Sequence, residues 1–183
     1  MAPGSGTRPL SDKVKQALFS ILEAERPDVW EHPMLDLFAG SGAGGIEALS
    51  RGAPRVLLVE RDRRAVEVMQ ANLERTSLSR HGRVLRADVR DFLASTAASV
   101  AEAPFSSVVI DPPYAQSVDL ARSLECLGDA SAGWLDTDAI VIAKHFWRAD
   151  VVASSGALVR VRQRRFGETM LSVYRRSPAY GGT

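Results

Sequence analysis

Apolar and polar positions change period repeatedly along this chain, and each change marks an element. Val14, Ala17, Leu18, Ile21 and Leu22 recur at helical spacing after Ser11, a good N-cap, and Pro27 ends the run. Residues 34–37 read as a short buried strand, followed by a glycine-rich loop and a helix over 45–50. A second strand is expected at 55–60, then an amphipathic helix over 63–76 with Ala65, Val66, Met69 and Leu73 on its apolar face. The pattern continues with a strand at 83–87, a helix at 89–98, a strand at 106–110, a helix at 118–127 and a fifth strand at 139–143. Residues 158–164 and 170–175 alternate with period two around Gly167, which predicts a closing hairpin.

Strands alternating with helices predict an α/β fold: a parallel, doubly wound sheet with right-handed crossovers and helices on both faces. The winding reverses after the first unit, so a ligand crevice is expected between strands one and four. Residues 1–6 and 177–183 read as flexible ends, and 7–176 as one domain.

Composition narrows the picture only a little. A chain of 183 residues, 45% hydrophobic and 25% charged, suits one soluble domain with a real core. Its apolar runs are too short to span a bilayer and no signal segment opens it, so a cytoplasmic location is expected. Cys126 is the single cysteine, which excludes a disulfide framework; Leu124 and Leu127 beside it predict a buried core thiol. His32, His81 and His145 show no ligand spacing, so no metal is expected and surface or loop positions are their default. The net charge is +1, yet Arg160, Arg162, Arg164, Arg165, Arg175 and Arg176 crowd a C-terminal stretch whose one acid is Glu168. Lys13, Lys15, Arg164 and Arg165 are the candidates for contacts with nucleic-acid phosphates.

The segment Asp111-Pro112-Pro113-Tyr114, directly after the apolar Val108-Val109-Ile110, carries the strongest chemistry. A carboxylate, two ring-locked residues and an aromatic at a strand's C-terminal end form a rigid hydrogen-bonding lip. An exocyclic amine on a planar base is a poor nucleophile because its lone pair is delocalised into the ring. The Asp111 carboxylate and the Pro112 carbonyl can accept its N–H bonds and orient the lone pair, while Tyr114 can stack on the base.

The loop from Leu35 to Gly45 (LDLFAGSGAGG) has glycines at 40, 42 and 45, the dinucleotide-binding spacing. Two details argue against a pyrophosphate. Asp36 would repel a diphosphate but suits a cation, and Phe38 and Ala39 lengthen the turn before Gly40. S-adenosyl-L-methionine, cationic and without phosphate, fits better. Gly40, Ser41 and Gly42 let the backbone approach its amino-acid tail. Glu60, followed by Arg61, is placed to accept both ribose hydroxyls. Asp88 is placed for the adenine amine, with the Val89 N–H for a ring nitrogen; Asp88 is equally suited to cap the following helix. Four acids thus end four successive strands.

Together the loop and Asp111–Tyr114 resemble the class I methyltransferases acting on exocyclic nitrogens of bases. The segment from Thr7 to Phe19 (TRPLSDKVKQALF), Ile46–Ala53 after the loop, and Phe166-Gly167-Glu168-Thr169 before Leu171 resemble the RsmD-like family, bacterial 16S ribosomal RNA guanine-N2 methyltransferases. The resemblance runs from Thr7 to Tyr174. It implies a Rossmann-like fold with a mostly parallel seven-stranded sheet whose last strand is antiparallel. It also implies S-adenosyl-L-methionine as donor, and 16S RNA or the small ribosomal subunit as partner. For the oligomeric state, on which the sequence is silent, a monomer is the plain default. By position, Asp111, Pro112, Pro113 and Tyr114 form the acceptor site. Asp36, Phe38, Ala39, Gly40, Ser41, Gly42, Glu60, Arg61, Asp88 and Val89 form the cofactor site, and Arg8 and Pro9 lie near the methionine end.

Three features depart from the family pattern. Only six residues precede Thr7, where relatives usually carry a basic hairpin; if that hairpin grips RNA, this chain compensates elsewhere or starts short. Strand five reads Ala143-Lys144-His145 instead of Val-Glu, so no role for that glutamate transfers. Gly45 replaces a larger apolar residue, which is expected only to loosen local packing. The rival readings are an adenine-N6 methyltransferase, an NAD-dependent oxidoreductase, which would leave Asp111–Tyr114 unexplained, and a non-catalytic RNA-binding protein that keeps the pocket.

Overall fold

The computed structural model describes residues 12–113 and 117–177. Helix α1 (Asp12–Glu25) is followed by β1 (Met34–Leu37), α2 (Ala43–Ser50), β2 (Val56–Glu60), α3 (Arg63–Arg75), β3 (Gly82–Arg86) and α4 (Val89–Leu93). Then come β4 (Phe105–Ile110), α5 (Ser117–Gly128), β5 (Leu135–Phe146), β6 (Ser154–Ser155), β7 (Leu158–Phe166) and β8 (Thr169–Arg176). All strands join one sheet in the order β3-β2-β1-β4-β5-β8-β7-β6. The first five are parallel, and β8 runs antiparallel between β5 and β7. No helix among the described residues is long and apolar enough to cross a membrane.

Helices cover both faces because alternate strand residues feed two cores. On one face Met34, Leu58, Val109, Ile140 and Ile142 meet Val14, Leu18, Ile21 and Leu22 of α1, Leu49 of α2 and Met69 and Leu73 of α3. On the other, Leu35, Leu57, Val108 and Val141 meet Phe92 of α4 and Leu120, Leu124 and Leu127 of α5. Asp36, Asp111 and Lys144 share the first face by parity, each two residues along its strand from a member of that core.

Most expected elements are present, with instructive differences. The helix expected over 89–98 stops at Leu93. Ser95 Oγ donates to the Phe92 carbonyl at 2.6 Å, Thr96 Oγ1 accepts the Ala98 N–H, and a separate 3₁₀ turn follows at Ala97–Ser99. Such local side-chain bonds offer the backbone an alternative to continued helix. Strand β5 begins four residues before the expected 139, through the polar Asp136-Thr137-Asp138 that masks its start in the sequence. An eighth strand, the two-residue β6, adds to the seven expected. Cys126 is half-buried rather than in the core, since α5 turns Leu124 and Leu127 inward and leaves position 126 at the margin. His145 is buried in β5, not on the surface; its ring bonds Ser172 Oγ and the Phe146 carbonyl at 2.8 Å each. The Ser11 cap lies outside the described residues.

Candidate active site

The winding reversal falls where expected, with β1 paired to β2 on one side and β4 on the other. The chain leaves β1 through Phe38 at φ +61°, a left-handed conformation rare for a bulky residue and found where a site over-determines the backbone. The Ala39 N–H then reaches back to the Val59 carbonyl at 3.1 Å, and Gly42 (N–H to the Ala39 carbonyl, 2.8 Å) opens α2. Asn72 of α3 tethers the loop from outside by donating to the Ser41 carbonyl at 3.1 Å.

Two acids hold this loop from within. Glu60 Oε2 accepts the Gly40 N–H at 2.9 Å, while its Oε1 accepts the N–H groups of Arg61 at 2.8 Å and Asp62 at 2.9 Å. A carboxylate offers about four lone-pair sites, so three are occupied and Oε2 has room for one further donor rather than a bidentate ribose pair. Asp36, 4% exposed and one residue inside the end of β1, accepts the Gly45 N–H at 2.8 Å. Burial raises its carboxyl to about 7; the Gly45 bond opposes this, and the charges of Asp111 and Glu60 add to it. Asp88 stands two residues beyond β3 and caps α4 through the Arg90 N–H at 2.9 Å. It also pairs with Arg61 and Arg90, each at 3.3 Å. Burial pushes the Asp88 carboxyl up, but these bonds outweigh it and hold the group below the ordinary range.

Asp111 follows β4 directly. Its N–H donates to the Leu37 carbonyl at 3.3 Å, which ties Asp111 to the start of the glycine loop. Pro112 is buried and Pro113 exposed. Lys144 Nζ lies 2.7 Å from Asp111 Oδ2. Burial raises the Asp111 carboxyl, and the Lys144 charge and hydrogen bond only partly oppose it.

The donor set fits a cationic cofactor. Glu60 and Asp111 stand close enough to Asp36 for their charges to act on it, and a Cβ built on Gly40 would meet nothing within 4 Å, so the loop opens onto free volume instead of packed side chains. Gly45 is different: there a Cβ would come within 2.6 Å of Leu58 Cδ2 and 3.0 Å of Val56 Cγ1. The position is tightly filled, which corrects the expectation of loosened packing. Arg8, Pro9 and Tyr114 lie outside the described residues.

The four candidate phosphate contacts are gathered at one end of the sheet. The C-terminal turn of α1 is fixed near the start of β5, through Glu25 to Arg175 and Arg26 to Asp136. A 14-residue helix spans about 21 Å, so Lys13 and Lys15 stand toward the opposite, site-bearing end. Arg164 and Arg165 pair with Leu171 and Met170, which in turn pair with Lys144 and His145. In the sequence Lys144 stands out only as a departure from the family pattern. A lone lysine ending the apolar Ile140–Ala143 run was the available signal.

Comparison with known proteins identifies the family. The chain matches the family described as conserved hypothetical protein 95 over residues 1–175. It is 34% identical over 173 residues to YlbH of Bacillus subtilis, described as a proposed rRNA methyltransferase, covering 94% of this chain and 90% of that one. Ribosomal RNA small subunit methyltransferase D of Escherichia coli K12 is 35% identical over 136 residues, covering 74% of this chain and 63% of the relative, just under two thirds of its length. Among solved structures, an Escherichia coli protein described as a proposed methyltransferase, YhhF, superposes with a TM-score of 0.78 at 28% identity, covering 97% of this chain and 89% of its own. The chain therefore belongs to the conserved hypothetical protein 95 family, the RsmD family of methyltransferases.

Proposed function

We propose that this protein transfers a methyl group from S-adenosyl-L-methionine to the exocyclic N2 amine of a guanine in small-subunit ribosomal RNA. The observation that carries this reading is the bond from the Asp111 N–H to the Leu37 carbonyl, which sets the acceptor carboxylate beside the glycine loop. Family membership and the relatives' descriptions support the same reaction.

Bound S-adenosyl-L-methionine supplies a methyl group on a cationic sulfur, already activated for attack. The chain's own residues then have to bind, orient and exclude. Asp36 supplies negative charge at the loop, Glu60 holds the loop and offers one acceptor to a ribose hydroxyl, and Asp88 with the Val89 N–H stands where a base edge would lie. Asp111 and the Pro112 carbonyl accept the amine's N–H groups and aim its lone pair across the crevice. Orientation of this kind dominates when the donor needs no further activation. As the C–N bond forms the C–S bond breaks and the sulfur leaves as a neutral thioether; one of the two N–H protons on the methylated nitrogen then passes to solvent and the other stays, so Asp111 need not remove a proton beforehand. A guanine must be unstacked to reach this lip, which favours a loop or otherwise accessible nucleotide.

The test is Asp111→Ala assayed on 16S RNA and on assembled small subunits, with nucleoside mass spectrometry. N2-methylguanosine is expected from the parent, with a loss of about 100-fold or more in the variant. Cofactor affinity by calorimetry should stay within a few-fold. A variant turning over near the parent rate, or N6-methyladenine as the parent's product, overturns the reading.

A further inference from the structure

Lys144 is the feature that the reaction as described leaves unused. It ends the apolar run of β5, it is 7% exposed, and its ammonium sits 2.7 Å from Asp111 Oδ2. An ammonium in a strand interior is costly to desolvate, and a buried ion pair is weak evidence of stabilisation, since apolar side chains of similar size often serve as well. A lysine here therefore calls for another explanation.

Its place in the sheet supplies one. Crossing the site in strand order, β2 brings Glu60, β1 brings Asp36, β4 brings Asp111 and β5 brings Lys144. Three acids and one cation stand in line. The first two acids in that order, Glu60 and Asp36, hold the glycine loop and the start of α2, and the cation lies beyond Asp111, on the side away from that loop. The charges around Asp111 are thus unlike ones on its two sides: Asp36, with Glu60 behind it, and Lys144. Lys13 and Lys15 of α1 stand at the same end of the sheet, while His145 follows on the opposite face, bonded to Ser172. Asp111 sits in a half-buried place beside another carboxylate, surroundings that favour its neutral form. A neutral carboxyl would be a poor acceptor for an amine N–H.

We propose that Lys144 is a positioning residue for methyl transfer: it keeps Asp111 charged and anchors Oδ2, so that Oδ1 is presented to the amine. The proposal rests on the methyl-transfer reading above. Lys144 acts on the reaction through its bond to Asp111.

Two measurements test it on the full chain. The first follows Asp111 by carbon NMR of aspartate carboxyls, assigned with D111N, through a pH titration without RNA. Lys144→Met should displace the Asp111 titration to higher pH, and Lys144→Arg should leave it close to the parent. The second follows kcat against pH with 16S RNA. K144M should lose about tenfold or more near neutral pH, recover much of that loss at alkaline pH, and leave cofactor affinity unchanged. K144R should retain most of the activity. Lys144→Gln, also uncharged, replaces K144M should the methionine variant not fold. A merely structural lysine would lower kcat equally at every pH. That flat loss, an Asp111 titration that does not move, or a K144M rate within twofold of the parent overturns the proposal. A parent that methylates no guanosine overturns the methyl-transfer reading itself, and the proposal with it, even where the NMR titration shifts as expected.

Discussion

Asp36 meets strong opposition to its charge, and that opposition makes it measurable. Its carboxyl is held at about 7 instead of 3.8, mainly by burial. Between those values the folded chain keeps a proton that the unfolded chain has lost, so this group's contribution is full below about pH 4 and declines as pH rises through about 7. Asp36→Asn can still accept the Gly45 N–H but has no charge to bury. The variant should match the parent in thermal stability near pH 4 and exceed it near pH 8, by at most on the order of 4 kcal/mol. Cofactor binding should move the other way. A cation beside Asp36 favours the ionised form, so binding releases a proton below about pH 7 and affinity climbs toward that pH. Calorimetry in buffers of different ionisation enthalpy would detect the release. In D36N the release should vanish, and affinity at pH 8 should fall by roughly tenfold or more, the contribution of a hydrogen bond or contact to a charged group. Equal affinity across the pH range in both proteins would remove Asp36 from the cofactor site. Glu60 cannot be probed as cleanly, because it accepts three backbone N–H groups and its loss would release the loop as well.

At the scale of elements, helix α2 shows how local preference and packing compete. Ala at position 45 would gain up to about 1 kcal/mol in helix propensity over Gly. The added Cβ, however, would fall 2.6 Å from Leu58 Cδ2 and 3.0 Å from both Leu58 Cγ and Val56 Cγ1, all on fully buried side chains of β2. Overpacking of this kind typically costs about 1–3 kcal/mol, so Gly45→Ala should lower the melting temperature despite the better helix former. A rise in melting temperature would mean that β2 yields to α2 more easily than its burial suggests. The clash was invisible in the sequence, because it depends on how closely α2 settles on β2. The same reason separates what could be read in advance from what could not. Short apolar runs located β1 and β2, which are buried on both faces, the helical period located α3, and alternation around Gly167 located the β7–β8 hairpin, since each is a local pattern. Four acids near four strand ends were legible for the same reason. The Asp111–Lys144 pair was not: it joins residues 33 apart, and only the register that sets Ile110 against Ala143 brings them together. The early stop of α4 depends on single hydroxyl bonds from Ser95 and Thr96, which a hydrophobic pattern does not encode.

For the whole molecule the question is how a chain with a net charge of +1 holds a polyanion. The sheet answers by sorting its charges. Among the described arginines of the C-terminal hairpin, Arg162 and Arg175 are paired with Glu25 at 3.1 Å each, toward the end of α1 remote from the site. Arg164 and Arg165 instead lie over aromatic rings, at 5.1 Å from Phe166 and 3.6 Å from Trp147, with Arg165 Nε also donating to the Gly167 carbonyl. Both side chains belong to exposed residues on the rows that pass through Lys144 and His145. A guanidinium braced on a ring keeps its charge while losing rotamer freedom, so it can meet a phosphate with less entropy still to lose. RNA binding should therefore depend on these two residues more than their number suggests. In R164A/R165A the slope of log K against log salt should flatten by about 0.7 per lost phosphate contact, with weaker binding across all RNA sequences tested. Arg55, exposed just before β2 at the opposite end of the sheet, provides the control for each single variant, R164A and R165A, since R55A removes one positive charge remote from the site. A slope altered equally by R55A would mean that RNA senses only overall charge. An unaltered slope in R164A/R165A would move the RNA path off the hairpin, toward the α1 lysines.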